Sequence, residues 1–162
     1  ERGVMSEQGE KVKLRYCESG PLHLDFHRTT NGTIAYIREK YGVEFLREII
    51  RRTAHDVYRA IHEDLKRGDP EHLVAHWQHF MEREEADFTI SRDGEEITMV
   101  VRRCPAYAWV LKRGIVPDEA FCEQTIALNN AFAEGTPFEI TTKVTGEGMC
   151  VQTIRRRRDD TK

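Results

Sequence analysis

No apolar run in the sequence approaches the roughly 18 residues needed to span a bilayer, and no two cysteines form a C-x-x-C pair. Four cysteines in 162 residues, spaced 87, 18 and 28 apart, are too sparse for a disulfide scaffold. They fit neither a zinc-ribbon nor a thioredoxin pattern. No excess of one charge sign is present: the net charge is −3 and the isoelectric point is near 6.2. A general nucleic-acid binder is thereby excluded as an expectation. The N-terminal ERGVMSEQGEKVK lacks the apolar heart of a signal peptide, and Met5 stands as a candidate native start. These absences lead us to expect a cytoplasmic protein with reduced thiols and no membrane partner. Internal repeats and low-complexity linkers are absent too.

What is present is globular: 39% hydrophobic and 33% charged residues. The length suits one domain, expected over 14–155, after a flexible segment over 1–13 and before a charged tail over 156–162. The basic run Arg155 to Arg158, followed at once by Asp159 and Asp160, reads as a frayed, solvated tail. Lys13 to Tyr16 is left open between strand and helix.

Apolar residues first recur at three and four. Ile34, Ile37 and Tyr41 predict a helix over Thr30 to Tyr41, capped by Thr29, Thr30 or Asn31 and ended by Gly42. A longer helix is predicted from Val43 to Lys66. Asp69 and Pro70 open another, with Leu73, Trp77, Phe80 and Met81 on its apolar stripe. The period then changes to alternation. Ala86 to Ser91 and Ile97 to Arg103 flank Asp93-Gly94, a hairpin signal. Pro105 to Lys112 reads as a short helix, and Pro117 or Asp118 begins the next, which ends by Gly135. Phe138 to Val144 and Met149 to Arg155 make a second hairpin. The expected fold is α+β: an antiparallel sheet of about four strands, two hairpins, covered by helices.

Cys104 lies where a strand meets a helix, and Pro105 suits the first helical position, so Cys104 is the expected N-cap. Free amides and the positive helix end at that place favour a thiolate. A small buried residue at a strand end accounts for the position as well. Cys122, expected about one turn into its helix, and Cys150, near the start of the last strand, are uninformative alone. Cys17 is less so.

The order Arg103-Cys104-Pro105, a helix to Gly114, Cys122 in a second helix, then Thr142-Lys143-Val144-Thr145 with Gly146 and finally Cys150, resembles the L-2-amino-thiazoline-4-carboxylic acid hydrolase family. The similarity spans roughly Tyr36 to Ile154 and is most specific in its last third. Two positions depart from it: Thr125 replaces an acid, and Cys150-Val151-Gln152 replaces Cys-Asp-Phe. The resemblance implies hydrolytic opening of a small heterocycle at an amidine-like carbon, with Cys104, Cys122 and Cys150 in the site. Such chemistry needs a nucleophile or metal-bound hydroxide, a base, and a donor for developing charge.

Histidine supplies candidate bases. His23 and His27 lie in HLDFHRTTNGT with Asp25, Arg28 and Asn31. A His beside a carboxylate can act as base, and an Arg can hold a carboxylate in two bonds. A capping, surface segment explains the cluster equally. His72, His76 and His79 share a helix face and two of them could hold a metal, though structural or solvated roles fit them better; His55 and His62, seven apart on the longest helix, read as a solvated face. Asn129 or Asn130 shares a face with Cys122 and could orient an amidine. One of Arg102 and Arg103 must face the side of Cys104 and could meet an anion.

Three functions follow. The first is a thiol-dependent hydrolase of a small cyclic amidine or amide, with Cys104, Cys122, Cys150 and His27 or His76 in the chemistry and Arg28, Asn31, Arg103 and Asn129 binding substrate. It needs no cofactor. The second is a zinc-dependent version of that hydrolase, with Cys104, Cys122 and Cys150 as ligands and a His or water in the fourth position. The third is a non-enzymatic small-molecule sensor using the same pocket. The substrate is the one expected partner, and a homo-oligomer is compatible with exposed apolar helix faces.

Overall fold

The change of period at Ala86 marks a border between two layers. The computed structural model describes residues 4–5, 11–12 and 22–158. The expectations for Cys17 and Lys13 to Tyr16 lie outside these residues, as do most of 1–13 and the acids after Arg158. Strands β1 (Val4–Met5) and β2 (Lys11–Val12) pair antiparallel. Helices α1 (Asp25–Tyr41), α2 (Val43–Arg52), α3 (Arg59–Lys66) and α4 (Glu71–Arg83) precede the hairpin of β3 (Asp87–Asp93) and β4 (Glu96–Arg103). Helices α5 (Pro105–Lys112) and α6 (Glu123–Ala133) precede β5 (Phe138–Gly146) and β6 (Met149–Arg156). The sheet order is β3-β4-β6-β5, antiparallel throughout. The α+β architecture is therefore as expected. Among the described residues no helix is long and apolar enough to cross a membrane.

Register explains what the sheet presents to the helices. Ile97 pairs with Ile154, which pairs with Ile140, giving an apolar row. The next row on that face is Met99, Gln152 and Thr142, and the one beyond it is Val101, Cys150 and Val144. One face thus runs from aliphatic to polar to thiol as the hairpin turn approaches. Leu65, Leu73, Phe132, Met99, Ile140 and Ile154 are buried together in the larger core, each contributing about 1.5–3 kcal/mol by removal from water. A second cluster joins Ile34, Leu46, Val110, Ala120 and Phe121.

Several elements differ from the sequence expectation. Helix α1 begins five residues early, at Asp25 with Leu24 as its N-cap. Its buried face is His27, Asn31 and Ile34, so polar residues disguise the stripe. The long helix over 43–66 is interrupted by a π-turn at Thr53–Val57 and a break at Tyr58. His55 and His62 are not a solvated face. Their rings stack 4.4 Å apart and bond the Ala131 and Glu134 carbonyls at the end of α6, at 3.0 and 2.8 Å. Helix α6 starts at Glu123, not at Pro117 or Asp118. Asp118 bonds the Ala120 amide (2.9 Å) and Arg38, holding a turn where a helix was expected. Cys122 is consequently an N-cap, not a residue one turn in. The basic tail is tied down as well: Arg155 and Arg156 belong to β6, and the Arg157 guanidinium donates to the Phe138 carbonyl at 2.8 Å.

Candidate functional site

The two cores meet around a cavity of about 240 Å³. Cys104 and Cys150 pack against the larger core, and Phe121 belongs to the smaller one. The wall includes Cys104, Cys122 and Cys150, together with His27, Glu84 and His76. Most of the rest is apolar or aromatic: Phe26, Tyr58, Phe80, Met81, Tyr107, Phe121 and Leu128. The half-exposed side chains of Phe26, Val144 and Met149 form its rim.

Cys104 arrives as expected. It ends β4 in extended conformation and caps α5, with Pro105 at the first helical position. Its amide donates to the Gly148 carbonyl at 2.7 Å, joining the start of α5 to the β5–β6 turn. This approach needs glycine: Gly148 has φ +65°, and a Cβ there would lie 3.2 Å from the Tyr107 ring. Cys122 caps α6, so both thiols stand at helix starts. Cys150 comes from β6.

The thiolate expectation is corrected. Burial pushes the Cys104 thiol above its ordinary range; the Tyr107 and Ala106 amides act the other way but do not prevail, and the Glu84 charge adds to the rise. Burial also raises Cys122, helped by Cys104 and Glu123. It takes Cys150 to about 11, against a lowering contact from Gln152. The helix-start amides are real, but desolvation of a charged sulfur is larger.

His27 and Glu84 form the polar centre. Their Nε2 and Oε2 atoms are 2.7 Å apart, and both side chains are 7% exposed. A carboxylate oxygen only accepts, so Nε2 carries the hydrogen and a neutral ring keeps its lone pair on Nδ1. That Nδ1 is buried without a hydrogen-bond partner. Glu84 went unnoticed in the sequence because it lies in MEREEAD, a charge run that reads as solvated. The backbone explains its burial. Glu85 takes φ +55°, with Ala86 bonding Met81 and Glu85 bonding Glu82, so α4 closes in a Schellman turn with Glu84 at its C-cap.

The proposed substrate binders are not in the wall. Arg28 is exposed, beside Asp25, Thr29 and Arg113. Arg103 is exposed and donates to the Glu85 carbonyl at 2.8 Å. Asn31 is buried and accepts from the Asp118 amide at 2.8 Å; with Arg38 on the Asp118 carboxylate, it fixes the loop that delivers Cys122. Asn129 is 2% exposed. Its amide donates to Thr142 (2.8 Å) and Gln152 (2.7 Å), and Gln152 in turn contacts the Cys150 sulfur at 3.7 Å. Asn31 and Asn129 therefore act on the site through other residues.

His76 is 8% exposed, and burial lowers its pKa from 6.5 to about 4, with His72 and His79 adding to the fall. It is neutral at pH 7. His72 bonds Asp64 at 2.7 Å and turns away from a shared role with His76. Among the described residues no group of three or more His, Cys, Asp or Glu side chains is arranged to hold a metal ion. Compared with known proteins, the chain matches no family model and no curated sequence.

Proposed function

We propose that the chain is a small-molecule hydrolase acting at an amidine- or amide-like carbon, with Cys104 as nucleophile and His27, oriented by Glu84, as base. The observation that carries this reading is the meeting of three thiols and the His27–Glu84 pair in one small cavity. The resemblance to the aminothiazoline-carboxylate hydrolases points to the same chemistry.

The raised thiol decides how the step runs. A preformed thiolate is disfavoured, so the proton leaves as the bond forms, as in a hydroxyl nucleophile paired with His. The Cys104 sulfur adds to the sp² carbon and His27 takes the thiol proton. The ring heteroatom then leaves with that proton. Water adds to the thioimidate or thioester, giving a proton to His27, and the C–S bond breaks to restore the thiol. Cys122 and Cys150 keep the surroundings of the sulfur polarisable and weakly polar.

Rates of ring opening should be measured for 2-aminothiazoline, its 4-carboxylate and small cyclic amides. Hydrolysis of at least one, reduced about 10²-fold or more in Cys104→Ala and in His27→Gln and unaffected by a chelator, is the expected result. Turnover undiminished in Cys104→Ala, or none in the wild type, overturns it. The raised pKa of all three thiols is the observation that favours a second reading, a protein that binds its ligand and releases it unchanged.

A further inference from the structure

A chain of polar contacts crosses the larger core and ends at the cavity. Asn129 on α6 is 2% exposed and Gln152 on β6 is 3% exposed. Gln152 stands between Met99 and Thr142 in its row of the sheet. The Asn129 Nδ2 group donates to the Thr142 hydroxyl at 2.8 Å and to Gln152 Oε1 at 2.7 Å. Gln152 Nε2 then points the other way and donates to the Cys150 sulfur at 3.7 Å. Polar groups at this depth are tolerated only when bonded. What the two amides add over aliphatic side chains is direction.

An amide nitrogen only donates. Thr142 Oγ1 therefore receives a hydrogen along one lone pair and keeps its own hydrogen for a different partner. Gln152 places the Cys150 sulfur in the same way. Thr142 and Cys150 both line the cavity, from adjacent rows of one sheet face. Cys104 reaches the same end of the sheet: its amide bonds the Gly148 carbonyl at 2.7 Å, two residues before Cys150.

The reaction proposed above leaves one need unassigned, a donor for the charge that develops as the sulfur adds. When the Cys104 sulfur bonds to the sp² carbon, the π pair of the C=N or C=O bond moves onto the heteroatom. A hydroxyl held as Thr142 is can meet that pair with a hydrogen bond and keep its proton. When the tetrahedral centre collapses the pair returns, and the ring heteroatom leaves with the proton from His27.

We infer that Thr142 is the hydrogen-bond donor that the cavity offers to the heteroatom of a group bound at Cys104, and that Asn129 is the positioning residue that keeps it a donor. This goes beyond the reading proposed above and rests on it for the identity of the nucleophile.

Two readouts test it, one with turnover and one without. In the ring-opening assay, Thr142→Val should lower kcat about 10²-fold with KM changed less than about threefold, and Thr142→Ser should recover most of the loss. Asn129→Leu should lower kcat in the wild-type chain but add little in Thr142→Val. Without turnover, cyanylation of Cys104 in a chain carrying Cys17→Ser, Cys122→Ser and Cys150→Ser puts a nitrile nitrogen two bonds from the sulfur, as the heteroatom would be. Its infrared stretch should shift to lower wavenumber in Thr142→Val and in Asn129→Leu, as the hydrogen bond is lost, and return in Thr142→Ser. An unchanged kcat in Thr142→Val, an Asn129→Leu effect that adds to it in full, or a nitrile band that none of these variants moves would overturn the assignment. A moving band in a chain that turns nothing over sinks the hydrolase reading alone. Turnover lost in Cys104→Ala but intact in Thr142→Val sinks this one alone.

Discussion

His27 Nε2 sits 2.7 Å from Glu84 Oε2 across 57 residues of chain, joining the first turn of α1 to the last residue of the α4 cap. The bond fixes the imidazole tautomer, lies in the cavity wall and ties the two helices together. Removing either partner leaves the other buried and unpaired. Glu84→Ala and His27→Ala should each cost about 2–4 kcal/mol in urea denaturation. The double variant should cost clearly less than the sum, because the orphaned partner is gone. Strict additivity would show that the two groups do not interact.

His76 predicts an acid limb to stability. The unfolded chain binds a proton on this residue near pH 6.5, the folded chain only near 4. Between those values the unfolded state holds more protons, so stability rises with pH. The contribution is fully present above pH 6.5 and is lost as pH falls toward 4, about 3 kcal/mol in all. His62, lowered chiefly by burial, acts in the same direction. Denaturation midpoints followed from pH 8 to 4 should fall less steeply in His76→Leu than in the wild type.

The thiols should be slow toward a neutral alkylating agent. At pH 7.5 Cys150 carries about a hundredfold less thiolate than an ordinary cysteine, given its pKa of about 11. Iodoacetamide should label Cys150 slowest, with all three rates still climbing above pH 9. Mass spectrometry of the native protein gives these rates, and unfolding in urea should erase the differences.

Gly148 joins the β5–β6 turn to α5. Alanine there would meet both a left-handed backbone and the Tyr107 ring at 3.2 Å. Gly148→Ala should destabilise by about 1–2 kcal/mol and slow catalysis by shifting Cys104, whose amide bonds the Gly148 carbonyl. Thermal unfolding and rate measurements on one preparation check both effects.

The parts legible in the sequence were those set by local rules. Cys104-Pro105 announced a cap, Asp93-Gly94 a turn, and alternation from Ala86 the sheet, because each depends on residues close in the chain. Tertiary choices were not legible. Helix α1 hid its start because His27 and Asn31, polar residues, occupy the buried face that periodicity seeks as apolar. The π-turn at Thr53–Val57 leaves the period almost intact, yet it brings Tyr58 to the cavity. Cys122 looked helical because the sequence does not reveal that Arg38, 80 residues from Asp118, would hold that turn. Glu84 was invisible for the same reason: its partner is remote. The thiolate expectation failed on magnitude, since a helix start is local and visible whereas the burial that outweighs it is not.

The most direct test of the account is the labelling of Cys104 by chloroacetamidine, an electrophile that carries the amidine group of the proposed substrate class. Site-resolved mass spectrometry would follow Cys104, Cys122 and Cys150 at pH 7.5 in the wild type and in His27→Gln. The account predicts saturating, selective labelling of Cys104, faster than iodoacetamide achieves and slowed about 10²-fold in His27→Gln. Equal labelling of the three thiols, indifferent to His27, would contradict it.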